Sequence, residues 1–386
     1  MQRFRIDMRA WARLASLVAA TSFFAVDAMA AKMIGDAAAT CSGLAGPADN
    51  AVRIDSAAIV ALSPLAVAER GPTPAARVTP ANPEFCKVLG QIAPTDPNAP
   101  PIKFQVNLPL EWNGRSLQYG GGGFNGVLIT GLGLVPAAPY DRPSPLAQGY
   151  VTVGTDSGHQ NQPNQPPQAF ALNDEALVNF AHASYKKVRD VAVELMQRAY
   201  GRGPQKLYFV GSSEGGREGL TMAQRYPSDF DGIFSRVPVI NWTLLQFAGT
   251  RNGGATFGDG WLRAPQVKLV HDAVLAACDA ADGLADGVVS DAAGCKQRFD
   301  VTKLRCAAGA TGDACLSDAQ VKAVQTLHSP YRSPFALANG VSEYPGYPLG
   351  GEDTPAFGPT GGWRAWWIGG GAPALPPQQN NGFVGK

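Results

Sequence analysis

Lys206-Leu-Tyr-Phe-Val-Gly-Ser-Ser-Glu-Gly-Gly-Arg-Glu-Gly219 is the stretch on which the fold turns. Residues 206–210 form a short apolar run of the kind that makes a fully buried strand. Glycines follow, and then a helical pattern through Arg225. Between the two lies Gly211-Ser212-Ser213-Glu214-Gly215, a G-x-S-x-G sequence in the strand-to-helix setting that the pattern requires. A turn this sharp forces its central residue into a strained backbone, and Gly211 and Gly215 relieve crowding where a Cβ would clash. The register makes Ser213 the central residue and leaves Ser212 beside it. Ser213 then stands at a helix N-terminus, where partial positive charge favours developing negative charge. Ser213 is the candidate nucleophile, and the amide N–H of Glu214 points where an oxyanion would form.

Working outward, Asn173 to Tyr200 is the longest helical stretch, with Leu177, Tyr185, Val188, Val191 and Leu195 mostly at three- and four-residue spacings. Residues 102–109, 116–119 and 149–156 read as strands. Strands alternating with helices indicate an α/β fold with a parallel sheet. Residues 31–105 are rich in Ala and Pro, with few long periodic stretches. After about residue 245 the alternation fades, so a domain boundary is placed there, dividing 31–245 from 246–386; the last 40 residues read as irregular loop. Gly120-Gly121-Gly122-Gly123 follows a strand upstream of the elbow and suits a second oxyanion donor, with Gly122 as the candidate. Residues 121–126 also match G-x-G-x-x-G, but a dinucleotide loop opens directly into a helix, and residues 127–136 are poor in helix signals.

The 386 residues carry 32 basic and 31 acidic side chains, so no global field favours a nucleic acid. Apolar residues are 45%, ample for a buried core. Arg3, Arg5, Arg9 and Arg13 precede the apolar run 14–26, and Ala28-Met29-Ala30 supplies a small-residue cleavage site. Residues 1–30 therefore read as a removed secretory signal, and no later stretch is long enough to span a membrane. An exported chain can hold disulfides. The six cysteines, Cys41, Cys86, Cys278, Cys295, Cys306 and Cys315, allow 15 pairings among which the residues alone do not choose.

Gly211 to Gly219, Tyr226-Pro-Ser-Asp-Phe-Asp-Gly232 and Asn241-Trp242, with Trp112-Asn-Gly-Arg115, Gly120 to Gly126 and Gly149-Tyr-Val-Thr-Val-Gly-Thr-Asp-Ser-Gly-His159 upstream, resemble the tannase and feruloyl esterase family. Glu214 and the pair Arg217-Glu218 look closest to the branch that includes mono(2-hydroxyethyl) terephthalate hydrolase. The resemblance implies a secreted enzyme with an α/β-hydrolase fold and an inserted lid domain. It would cleave small esters of aromatic acids (feruloyl, galloyl or terephthaloyl) through an acyl-enzyme on Ser213. It also implies a structural calcium loop bracketed by Cys278–Cys295, with Asp279, Asp282 and Asp286 binding through carboxylates and Leu284 and Val288 through carbonyls. Three carboxylates in eight residues, with glycines for turning, suit a hard cation. Cys306–Cys315 and Cys41–Cys86 are the other implied pairs.

Two departures accompany the resemblance. Many family members carry a cysteine before the nucleophile, where this chain has Ser212. The family's catalytic Asp and His come after the lid, and neither is identified here, so the expectation is a chain whose final hydrolase segment lies beyond Lys386 and whose 386 residues alone are inactive. His159 and His182 precede the serine, His271 sits beside the expected calcium loop, and only His328 has much room for an Asp before it. Arg364 and Trp367 are candidate substrate contacts, with Trp363 and Trp366 in the same wall. The alternative reading is a non-catalytic, calcium-stabilised exported binding protein that kept the elbow.

Overall fold

A computed structural model describes residues 31–47, 51–63, 68–69, 77–78, 81–139, 142–354 and 362–368; the expected signal, residues 1–30, lies outside them. An eight-stranded sheet organises the first part of the chain. In chain order its strands are β1 (Gly46–Pro47), β2 (Val52–Val60), β3 (Phe85–Ile92), β4 (Ile102–Pro109), β5 (Arg115–Tyr119), β6 (Val151–Thr155), β7 (Lys206–Ser212) and β8 (Gly232–Arg236), and across the sheet they run β8-β7-β5-β6-β4-β3-β2-β1. The four strands β8, β7, β5 and β6 are mutually parallel, with Val210 opposite Phe234 and Phe209 opposite Gln118. From β6 to β1 every pairing is antiparallel.

The sheet is thus mixed, not the parallel sheet expected. The additional strands β2 and β3 lie inside the stretch read as having little periodicity. The reason is local. In β2 the alternation Val52-Arg53-Ile54-Asp55 is broken by a register shift between Ile54 and Ser56, which reverses the phase of every residue after it. The strands β4 to β7 lie where the sequence placed them.

Three helices matter to the site. The first, α1 (Ser184–Tyr200), packs Val188, Leu195 and Met196 in one core with Phe104 and Val106 of the sheet and with Trp112 just beyond β4. Tyr200 stacks on Trp112 at 4.6 Å and its hydroxyl donates to the Pro109 carbonyl at 2.7 Å. Each such side chain contributes about 1.5–3 kcal/mol on full burial. The helical stretch expected from 173 is interrupted: Asp174–Val178 is α-helical, Asn179–Ala183 is a π turn, and α1 then begins. Ser184 stabilises the wider turn by donating its hydroxyl to the Asn179 carbonyl at 2.8 Å. The second, α2 (Glu214–Arg225), follows the elbow. The third, α3 (Trp242–Ala255), runs unbroken through 245–246, so the change of packing partner falls within a helix.

Beyond α3, α4 (Ala264–Cys278) and α5 (Asp318–His328) enclose a second core that includes Leu262, Val270, Val324, Leu327, Trp363 and Trp367. Arg364–Ile368, expected as loop, forms one π-helical turn there. The cysteines pair as Cys41–Cys86, Cys278–Cys295 and Cys306–Cys315, the pairing the resemblance implied. Among the described residues no helix is long and apolar enough to cross a membrane.

Candidate active site

Ser213 closes β7 and caps α2 with φ +61° and ψ −117°, a backbone that non-glycine residues rarely adopt. Its neighbours hold it there. The Ser213 N–H donates to the Arg236 carbonyl at 3.0 Å, and the Ser213 carbonyl accepts from the N–H of Val239 at 3.1 Å and of Arg217 at 3.2 Å. A Cβ on Gly211 would run into the Gly215 carbonyl, and one on Gly215 would lie 2.7 Å from the Gly121 carbonyl oxygen. The elbow therefore sits directly on the glycine loop, and the Gly215 N–H donates to Gly121 at 3.2 Å.

The Ser213 side chain is exposed, and it opens into a cavity of about 500 Å³ between the sheet unit and the second core. The walls are aromatic: Phe124, Trp242, Tyr347, Trp363, Trp366 and Trp367. Gly123 and Glu214 also line it. Residues 86–385 match the tannase and feruloyl esterase family.

The chain belongs to the tannase and feruloyl esterase family. It is 41% identical to an uncharacterized esterase of Agrobacterium fabrum over 81% of this chain and 57% of that protein. It is 34% identical to the mono(2-hydroxyethyl) terephthalate hydrolase of Piscinibacter sakaiensis over 78% of this chain and 54% of that one. The crystal structure of feruloyl esterase B from Aspergillus oryzae superposes with a TM-score of 0.67 at 25% identity, covering 87% of this chain and 65% of that one. The chain spans about half the length of the curated relatives it matches. The shared fold is of the α/β-hydrolase type.

Of the two N–H groups expected to serve as oxyanion donors, one is free and the other is engaged elsewhere. Glu214 is the first residue of α2, so its N–H has no acceptor within the helix. The Gly122 N–H, however, is engaged by Asn125 Oδ1 at 2.5 Å, and the Gly121 N–H by Glu218 Oε2 at 2.8 Å. Gly123, at φ +62°, is the loop residue on the cavity, and its N–H has no partner among the described residues. The correction follows from Asn125: a side chain three residues on captures the expected donor.

Glu214 is buried, and Oε1 accepts from Arg217 Nε at 2.6 Å and Nη2 at 2.5 Å. Burial pushes its carboxyl up to about 7, against the opposing Arg217 hydrogen bond. Arg217 in turn donates to the π-turn carbonyls of Ala181 at 2.9 Å and Phe180 at 3.1 Å.

Among the described residues no histidine lines the cavity. His159 is buried and stacked on Phe170 at 3.8 Å, and burial lowers it to about 4. His182 Nδ1 meets the Tyr226 hydroxyl at 2.8 Å, His271 Nδ1 meets Glu352 Oε2 at 3.0 Å, and His328 Nδ1 meets the Tyr347 carbonyl at 2.8 Å. Trp367 is on the cavity wall, but Arg364 is not: its Nη2 pairs with Asp353 Oδ1 at 3.0 Å.

The loop expected to take calcium does not gather its carboxylates, and no group of three or more His, Cys, Asp or Glu among the described residues is placed to hold a metal. Asp279 Oδ1 accepts from the N–H of Gly287 at 3.0 Å, Asp282 from those of Leu284 at 3.1 Å and Ser290 at 3.0 Å, and Asp286 from that of Val288 at 3.0 Å. Leu284 and Val288 are exposed in the same loop. Sequence reasoning did not single out Phe124, Asn125, Trp242 or Tyr347 as site residues, and it held Gly123 only within the glycine run offered for the second donor, behind Gly122. Phe124, Gly123 and Asn125 fall inside the quoted glycine motif, whereas nothing near Tyr347 signals an approach to Ser213.

Proposed function

We propose that this chain is an exported serine esterase acting on carboxylic esters of aromatic acids. The observation that carries the reading is Ser213 at φ +61° on a strand-to-helix turn, opening into an aromatic cavity of about 500 Å³. Ser213 Oγ adds to the ester carbonyl carbon, and the proton it gives up ends on the departing alkoxide oxygen. The tetrahedral oxyanion takes hydrogen bonds from the N–H groups of Glu214 and Gly123. Collapse expels the alcohol and leaves an acyl-enzyme, which water hydrolyses to the free acid. No proton acceptor is assigned among the described residues.

The names of the relatives, a terephthalate half-ester hydrolase and feruloyl esterases, support an aromatic acyl group. The described wall offers that group tryptophans and no cation, because Arg364 is held by Asp353. A neutral acyl ring therefore fits better than one bearing a carboxylate, which would be desolvated without a partner. Three disulfides support passage through an oxidising compartment. Calcium in the 279–288 loop remains part of this proposal on donor chemistry. Binding would require the aspartates to exchange their backbone N–H partners for the ion.

The test is a fluorophosphonate probe with mass mapping, alongside hydrolysis of methyl ferulate and of mono(2-hydroxyethyl) terephthalate, applied to the protein isolated from its native producer. We expect labelling confined to Ser213, loss of both labelling and hydrolysis in Ser213→Ala, and preference for the neutral ester. Hydrolysis that persists in Ser213→Ala would refute the nucleophile. An unlabelled wild-type chain would favour the binding-protein reading.

A further inference from the structure

Behind the glycine loop lies a chain of hydrogen bonds that the nucleophile itself does not use. Glu218 stands one turn along α2 from Glu214 and is fully buried. Its Oε2 accepts from the Gly121 N–H at 2.8 Å, and its Oε1 accepts from Asn125 Nδ2. Asn125 Nδ2 also donates to the Tyr185 hydroxyl at 3.0 Å, while Asn125 Oδ1 takes the Gly122 N–H at 2.5 Å. The carbonyls are held as well: Gly121 accepts from the Gly215 N–H at 3.2 Å, and Gly122 from the Asn125 N–H at 2.9 Å. Both residues preceding Gly123 are therefore fastened at N–H and at C=O. The N–H of Gly123 is what the turn leaves over, beside Ser213 on the cavity wall.

We infer that Glu218 is a positioning residue that sets the oxyanion donor of the glycine loop. This rests on the serine esterase reading above. A carboxylate is the side chain suited to the task, since its two oxygens only accept and two donors, Gly121 and Asn125, converge on it. Burying it is costly, and burial raises its pKa; the Tyr185 hydroxyl and the charge of Arg217 oppose that rise. The loop rests directly on the carboxylate, since a Cβ at Gly120 would lie 2.7 Å from Oε2.

The experiment compares wild type, Glu218→Gln and Asn125→Ala. Glutamine keeps the volume but replaces one acceptor by a donor facing Gly121 or Asn125. The Asn125 amide then turns and withdraws Oδ1 from Gly122. Amide hydrogen exchange over residues 121–123 should become roughly tenfold faster, the equivalent of one lost hydrogen bond, with 214–225 unchanged. The maximal rate of Ser213 phosphonylation should fall roughly 100-fold, as for loss of one oxyanion donor, at an unchanged half-saturating probe concentration. Asn125→Ala, which removes the Gly122 acceptor and leaves the carboxylate, should slow labelling in the same way. Unchanged exchange at 121–123 in Glu218→Gln would overturn the assignment, as would labelling that weakens only through the half-saturating concentration. A wild-type chain that takes no label sinks the esterase reading alone, because exchange still decides the role of Glu218.

Discussion

His159 shows how one residue's surroundings set a measurable property. It follows β6, lies flat on Phe170 at 3.8 Å, and is held to about 4 because burial disfavours the imidazolium. An unfolded histidine titrates near 6.5. The folded pKa is depressed, so the stability His159 contributes is complete above about 6.5 and is lost as pH falls through about 4. The nearby Asp156, raised to about 6 by burial, acts in the opposite direction, so the comparison must be differential. His159→Phe keeps the stack and removes the titration. Its melting temperature relative to wild type should therefore rise between pH 6.5 and pH 4, as read by calorimetry. A pH-independent difference would contradict the assignment. From sequence, His159 already reads as a framework histidine because it precedes the serine; the ring packing that holds it involves Phe170, on another segment. Ser213 is the converse case, since the glycines that create its strain are its immediate neighbours.

The elements divide in the same way. Strands β4 to β7 and helix α2 are legible because each is a short run whose apolar pattern matches its own burial. The helix expected from 173 is right in kind but broken by the π turn, because Arg217 on α2 needs the carbonyls of Phe180 and Ala181. No local propensity encodes that demand. The segment between α4 and residue 298 is held by Cys278–Cys295, which closes a loop of sequence separation 17. In the chain-entropy account such a crosslink is worth about 3 kcal/mol. Cys278→Ser with Cys295→Ser should lower the melting temperature accordingly. If the proposed calcium site exists, added calcium should raise the wild-type melting temperature, chelation should reverse this, and the double variant should respond less. Equal melting curves with calcium and with chelator would remove calcium from the proposal.

For the whole molecule, the described sheet ends at β8, which is paired on one side by β7 and leaves Phe234 substantially exposed, as are Val237 and Ile240 in the segment just after it. An apolar edge of this kind pairs readily with another chain. Concentration-dependent self-association should appear in analytical ultracentrifugation of this chain, and Phe234→Lys should reduce it. Equal sedimentation of both proteins at all concentrations would show that the edge is not used. At this scale the cavity is also assembled: Ser213 and Glu214 come from the sheet unit, Trp363, Trp366 and Trp367 from a segment 150 residues later. Sequence by itself determined the elbow, the strands around it and its family resemblance, because strain, hydrophobic period and glycine placement act over a few residues. Tertiary structure alone decided which glycine N–H remains free, that Arg364 is occupied by Asp353, and that half the sheet is antiparallel. Each of these depends on a hydrogen bond or ion pair between groups that the chain brings together only on folding, and no local pattern records which partner reaches a given group first.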